Sequence, residues 1–403
     1  MATVVKIHST PSFSAFTAIS STFGSRDPSS SRSEIDLSTS KSDGSANSSD
    51  LRRIDLLDLI ISHEKKTPAL IALRSKIITS LETHGYILLT YPKSLSSSSS
   101  SSSTLSSIHS IILKSLLRTI TSINDLIMSS STISSKTSPW PPSLCPLTAG
   151  SVYFNENNTP MYKLGYDDGT GGTNDASNDR DPIREYYRVC SGDVEGCGGF
   201  INGDEEGTVR ILNMCRYICD VLLKTTFHPT AVPLRHANSS IKSWVDPSKI
   251  LKKIGENGRD DYSILYGMNY FNTNEAVGYA KEQGNVGGDG RLLNLKEHVD
   301  PSLWVLEPVL GEGVGGLEVF DELRKEWILC DGVKSKLNGV LGEGEAGMVA
   351  FVGKGFVKSY EKGVGKGEKE IKPTLHRVVA PAEDEIGRER RSVIFEQKYG
   401  EYM

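Results

Sequence analysis

Three side chains in this sequence have the types and spacing to hold one metal ion. His298 and Asp300 stand two apart in Glu297-His298-Val299-Asp300, and His376 follows in Thr374-Leu375-His376-Arg377-Val378. Alternate residues of an extended strand point to one face, so His298 and Asp300 can reach the same ion. A later histidine from a neighbouring strand completes a facial triad of two imidazoles and one carboxylate. That set leaves adjacent coordination positions open for substrate groups and O2, which suits ferrous iron. An isolated His-x-Asp is weak by itself, because a lone histidine is more often surface or satisfied core than ligand. Its weight comes from the chain around it.

Side chains of this kind need strands to carry them, and the chain offers short ones. Segments 263–271, 303–310, 317–320, 347–352, 375–379 and 392–396 are apolar and separated by Gly-rich turns, the pattern of a barrel or sandwich. Upstream, Leu70, Leu73, Ile77 and Leu81 recur at helical spacing, Gly85 reads as the helix stop and 86–91 as a buried strand. Segments 105–128 and 210–223 read as amphipathic helices. The serines of 96–103 read as a flexible loop, and 139–206, dense in Gly, Asn, Asp and Pro, as long loops.

The 403 residues carry a formal net charge of -5, which gives no basic footprint for nucleic acid, and no run of 18 or more apolar residues suggests a membrane span. A small-molecule substrate is therefore expected. Six cysteines show no zinc-ribbon spacing and read as reduced structural thiols. Cys215 and Cys219 share a helical face, a weaker candidate metal pair. The first 26 residues are rich in Ser and Thr with no acidic residue before Asp27. That composition suits either a disordered tail on a cytoplasmic protein or a chloroplast transit peptide.

Two C-terminal stretches carry a resemblance. HVDPSLWVLEPVLGEGVGGLEVFD from His298 and LHRVVAPAEDEIGRERRSVIF from Leu375 resemble the plant 2-oxoglutarate and iron(II)-dependent dioxygenases, a family similar to isopenicillin N synthase. SLETHGYILL from Ser80 is similar to that family's N-terminal helix and following strand. The resemblance spans roughly 51–397 and is strong at the C-terminal end. It implies a mainly β fold with flanking helices, built on a double-stranded β-helix, or jelly-roll, core over 260–397. Residues 1–50 then form the tail, 51–135 an N-terminal helical region with a Ser-rich loop at 94–107, and 136–259 a loop-rich connection.

The same resemblance implies His298, Asp300 and His376 as iron ligands. Arg390 and Ser392 become the clamp on the distal carboxylate of 2-oxoglutarate, with Asn269 beside the co-substrate. Iron(II) and 2-oxoglutarate are the implied cofactors, ascorbate a supporting reductant, and O2 and a small metabolite the partners. A guanidinium two residues from a hydroxyl on one strand face has the donors for a carboxylate.

Some features depart from the family. Met268 to Asn272 reads MNYFN, which sets Phe271 where the family has a tyrosine that hydrogen-bonds the co-substrate, with Tyr270 expected on the opposite face. The Lys- and Gly-rich 353–372 and the stretch between His376 and Arg390 read as surface insertions. Gly311 to Gly316, GEGVGG, precedes a strand and not a helix, so it reads as a hairpin turn and not a phosphate cradle. Two other readings stay open: an idle jelly-roll binding protein, and a same-fold oxidase that does not use 2-oxoglutarate.

Overall fold

The computed structural model describes residues 50–92, 152–154, 160–163, 165–167, 183–190, 205–227, 263–309, 313–364 and 370–398. The expected helix at 105–128, the serine loop and the tail of 1–49 lie outside the described residues.

The C-terminal half is built from eight strands divided between two sheets, alternating along the chain except for the β10–β11 hairpin. They are β7 (Ile264–Tyr270), β8 (Leu293–His298), β9 (Trp304–Val309), β10 (Leu317–Asp321), β11 (Glu326–Leu329), β12 (Glu345–Val352), β13 (His376–Val379) and β14 (Arg390–Glu396). One sheet contains the order β12-β9-β14-β7 and the other β11-β10-β13-β8. The ladders among these eight strands are antiparallel. This is a jelly roll, the double-stranded β-helix expected from the sequence.

The larger sheet is extended at both edges. On one side are β2 (Tyr86–Pro92) and β1 (Arg53–Asp55), and on the other β6 (Arg184–Cys190) and β5 (Gly165–Asp167). A separate pair joins β3 (Val152–Phe154) to β4 (Pro160–Lys163). The strand β6 lies within a region whose composition reads as loop. It is held by a full ladder to β7, from Arg184↔Tyr270 to Cys190↔Ile264, so tertiary pairing overrides local composition here.

Three helices cover the outer face of the larger sheet: α1 (Leu56–Lys65), α2 (Ala69–His84) and α3 (Glu205–Thr226). Leu59, Ile77, Leu81, Ile218 and Leu222 from these helices pack with Leu265, Leu306, Val393 and Phe395 of the sheet. A short helix, α4 (Asn274–Glu282), lies between β7 and β8 in the chain. Cys215 and Cys219 belong to the α3 layer. Burial pushes the Cys215 thiol up to about 12, so it behaves as a core side chain.

Asp55 starts α1 by accepting from the Asp58 amide at 2.8 Å, an N-cap. Gly85 ends α2 with φ 88°, and its amide donates to the carbonyls of Leu81 and Ser80. That left-handed turn points the chain straight into β2, and it favours glycine because a Cβ is strained there. Gly85→Ala is expected to lower stability by about 1 kcal/mol, read as a shifted denaturant midpoint at unchanged slope.

Two expectations are corrected. GEGVGG does not make a hairpin, because β9 before it and β10 after it belong to different sheets. It is a sheet-to-sheet crossing. Likewise 353–372 is not merely a surface insertion, since Lys354–Val364 form a helix, α5, whose Phe356 is fully buried against Trp304 and Phe227.

Candidate metal centre

His298 ends β8 and His376 begins β13, and the two are direct partners across that ladder. Their rings lie 4.1 Å apart. Beyond this pair the register shifts, with Val378 opposite Leu295 and Val379 opposite Leu293. A bulge of this kind re-aims side chains at the rim of a barrel. Asp300 sits in the turn that follows β8, with its carboxylate 3.6 Å from His298 Nε2 and 3.3 Å from His376 Nε2. One donor atom from each of the three falls within 4.8 Å of the others. The structure thus brings together the three residues singled out by spacing.

The donor atoms are prepared for a cation. His298 Nδ1 lies 2.8 Å from the Lys296 carbonyl and His376 Nδ1 lies 3.2 Å from the Thr374 carbonyl. A carbonyl only accepts, so each Nδ1 carries the proton and each Nε2 presents a lone pair toward Asp300. Burial drives the His376 imidazole down to about 4. Burial, and then His376, also lower His298. Both rings are therefore neutral near pH 7, the form in which an imidazole can bind a metal. Burial also raises Asp300, a desolvated carboxylate that a cation would satisfy.

The backbone around the triad is fixed from several sides. The Asp300 carbonyl accepts from the Lys354 amide at 2.8 Å, and the Pro301 and Ser302 carbonyls from Gly355, so the first turn of α5 holds the Asp300 turn. A Cβ on Gly353 would lie 2.4 Å from the Ser302 carbonyl oxygen, which requires glycine at that approach. Phe351 backs His376 at 4.8 Å. On the other face of β13, fully buried Arg377 bonds Glu318, Glu297 and Asp289 and stacks 4.0 Å over Trp327. This network ties β13 to β8 and β10 and so preserves the His298–His376 register.

Arg390 and Ser392 lie on one face of β14, inside the barrel. A Cβ on Gly316 would touch both Arg390 and Val378, and Val378 lies two residues along β13 from His376. Arg390 thus lies beside the part of β13 two strand positions from His376. It is 2% exposed. Its Nε donates to Asp331 Oδ2 at 2.8 Å, and its Nη2 contacts Asp331 at 2.7 Å and Glu307 at 2.8 Å. Ser392 Oγ donates to Glu307 at 2.8 Å. Arg390 Nη1 has no hydrogen-bond partner among the described residues. Burial opposes its charge, yet Asp331 and Glu307 outweigh burial and raise its pKa.

The strand β7 corrects a further reading. Arg390 is the direct partner of Tyr270, so the two share a face, and the guanidinium lies 5.0 Å over the Tyr270 ring. Tyr270, expected to point away, is the aromatic residue beside Arg390. Asn269 is paired with Arg391 and Glu185. It therefore faces the helical layer with Val393 and Phe395, away from Arg390 and Ser392. Phe271 follows on that alternate side. Phe271→Tyr is accordingly expected to leave affinity for a 2-oxo diacid unchanged in a binding titration, whereas adding a missing ligand would tighten it.

No protein-family model matches the sequence, and no curated protein matches it. Solved structures do, at low identity. A 2OG-Fe(II) oxygenase family protein from Caulobacter crescentus matches at 14% identity with a TM-score of 0.46, over 88% of this chain and 87% of that one. A full-length Neurospora crassa protein, solved in complex with alpha-KG, matches at 13% identity with a TM-score of 0.43, over 86% and 84%. A rice dioxygenase for auxin oxidation matches at 14% identity with a TM-score of 0.40, over 86% and 82%.

Glu307 and Asp331 are site residues that the sequence reading missed. Glu307 offered a signal, a lone charge in the apolar run WVLEPV, which implies either exposure or a buried partner. Asp331, in a turn after β11, offered none. Its Oδ1 accepts from the amides of Gly316 and Leu317 at 2.8 and 2.9 Å, a contact between segments that only the fold brings together. Glu396 was also missed. It shares the inner face of β14 with Arg390 and Ser392, and burial raises its carboxyl.

Among the described residues no helix is long and apolar enough to cross a membrane.

Proposed function

We propose that this protein is an iron(II)- and 2-oxoglutarate-dependent oxygenase that hydroxylates, demethylates or desaturates a small organic metabolite. The observation that carries the reading is the triad. Two imidazoles have their Nδ1 protons pinned by backbone carbonyls, and both Nε2 atoms converge on one buried carboxylate. Two nitrogens and one oxygen on one side of an ion leave the other side open, the ligand set of a ferrous oxygenase site.

His298, Asp300 and His376 would hold the iron, which supplies O2 activation coupled to decarboxylation of 2-oxoglutarate to succinate and CO2. The chain's own part is binding and exclusion. Arg390 provides a permanent positive charge deeper in the barrel, with Ser392 as a neighbouring hydroxyl, for the far carboxylate of the co-substrate. Phe351, Val305 and Val349 line the interior beside it and keep water out. An oxidase of the same fold that takes no 2-oxo diacid is the second reading, favoured by the hold that Glu307 already has on Arg390 and Ser392.

The test is an anaerobic titration with Fe(II) and then 2-oxoglutarate, followed by the visible metal-to-ligand charge-transfer band, in the wild type and in His298→Ala. A band in the wild type alone is the expected result. Iron binding without that band in the wild type would shift the reading to the oxidase.

A further inference from the structure

The two carboxylates on Arg390 have different geometry. Asp331 is anchored by two backbone amides and takes the Nε side of the guanidinium, so it orients Arg390 from below. Glu307 has Oε1 within 2.8 Å of both Arg390 Nη2 and Ser392 Oγ. Those are the two donors, one guanidinium N–H and one hydroxyl two residues along the same strand, that the far end of a diacid would need. Glu307 reaches them from β9, where it lies opposite Val349 of β12 in an otherwise apolar column. It is 2% exposed, and a lone carboxylate in that place is costly unless it has this partner.

We propose that Glu307 is an internal competitor for the Arg390–Ser392 clamp, filling the position of a co-substrate's distal carboxylate and thereby setting which 2-oxo acid the barrel accepts and when. The proposal rests on the oxygenase reading for the identity of the ligand. Its physical basis is charge and donor number. One guanidinium already faces two carboxylates, so although Arg390 Nη1 is unpaired among the described residues, a third anion is repelled until Glu307 leaves or takes up a proton. A 2-oxo acid without a second carboxylate makes no such demand and binds with Glu307 in place.

Protonation is within reach. Burial, opposed by Arg390, lifts the Glu307 carboxyl to about 7. The groups facing it are Arg390 and Ser392 from β14 and Cys330 and Asp331 just after β11, while β12 offers only apolar Val349. Tyr270 of β7 lies against Arg390. A proton on Glu307 removes its negative charge and weakens its hold on Arg390. Diacid binding by the wild type therefore takes up a proton and weakens above about pH 7, by up to about tenfold per pH unit.

The experiment is calorimetric titration of the full chain, loaded with Mn(II), with 2-oxoglutarate and with 2-oxobutyrate at pH 6.5 and 8.5. The proteins are the wild type, Glu307→Gln and, as a second route to a neutral residue, Glu307→Leu. At pH 8.5 the variants are expected to bind 2-oxoglutarate at least tenfold tighter than the wild type. The gap should narrow at pH 6.5, and 2-oxobutyrate should bind all three alike. Equal 2-oxoglutarate affinity in wild type and variants overturns the proposal while leaving the co-substrate reading intact, and so does an equal gain for both acids. Binding by the variants alone, at either pH, upholds the proposal and removes 2-oxoglutarate as the wild-type co-substrate. No diacid binding by any of the proteins overturns both.

Discussion

Asp300→Asn is expected to weaken metal binding by at least about a hundredfold while leaving the metal-free protein at least as stable as the wild type. In the absence of a cation the Asp300 side chain is 12% exposed and its carboxyl is raised by burial, so its charge costs free energy in the folded state. Asparagine keeps the shape and removes the charge. The metal-loaded protein behaves in the opposite way. At a metal concentration about a thousand times the dissociation constant, binding stabilises the fold by about 4 kcal/mol. Losing a ligand should weaken binding by more than the 10- to 100-fold that outer partners typically contribute, about a hundredfold at the least. Thermal melting with and without Mn(II) reads both effects. The wild type should melt several degrees higher with metal, and the variant's metal-induced shift should fall to about a third of that or less. A variant with the full wild-type shift at the same metal concentrations would remove Asp300 from the ligand set. His376→Ala is a poorer probe, because it also opens a cavity beside Phe351.

The triad was legible in the sequence for a specific reason: its residues are defined by a strand period of two and by a turn that follows at once. The strands carrying apolar runs, such as β7, β9 and β12, were legible too. The extent of β8 was not, although a strand ending at the His-x-Asp was expected, because LNLKEH turns Glu297 outward to meet Arg377 and so shows no apolar run. Helix α5 was hidden by its glycines and lysines, although Phe356 anchors it in the core. The crossing at GEGVGG was misread because sequence does not reveal which sheet a strand joins. Around MNYFN a displacement of one residue exchanged the faces of Tyr270 and Phe271, since side chains alternate with a period of two. The carboxylates on Arg390 come from β9 and from the turn after β11, separated from Arg390 by 83 and 59 residues. No local pattern links positions so far apart, so the clamp could be read as a pair of donors but not as one already engaged.

That engagement makes the loss of Arg390 strongly destabilising. Arg390→Met is expected to cost about 3–5 kcal/mol, because it leaves Glu307 and Asp331 buried without their shared cation. The two carboxylates then part company. Asp331 retains the amides of Gly316 and Leu317, whereas Glu307 keeps only the Ser392 hydroxyl. Adding Glu307→Leu should therefore recover part of the loss, since leucine joins Val305, Val349 and Phe351 in the surrounding apolar cluster. The sign of the pH dependence gives an independent check. The folded-state value of Glu307, about 7, lies above its ordinary 4.5, so the folded protein holds the proton more tightly than the unfolded chain. Its stabilising contribution is complete below about pH 4.5 and is lost as pH rises to about 7. Denaturant titrations across that window should show the decline in the wild type and a shallower one in Glu307→Gln. A neutral pair at 307 and 390 that regains stability but no longer binds a diacid would show that the buried charges serve ligand selection and not the fold. A double variant no more stable than Arg390→Met would instead make Glu307 a structural partner of Ser392.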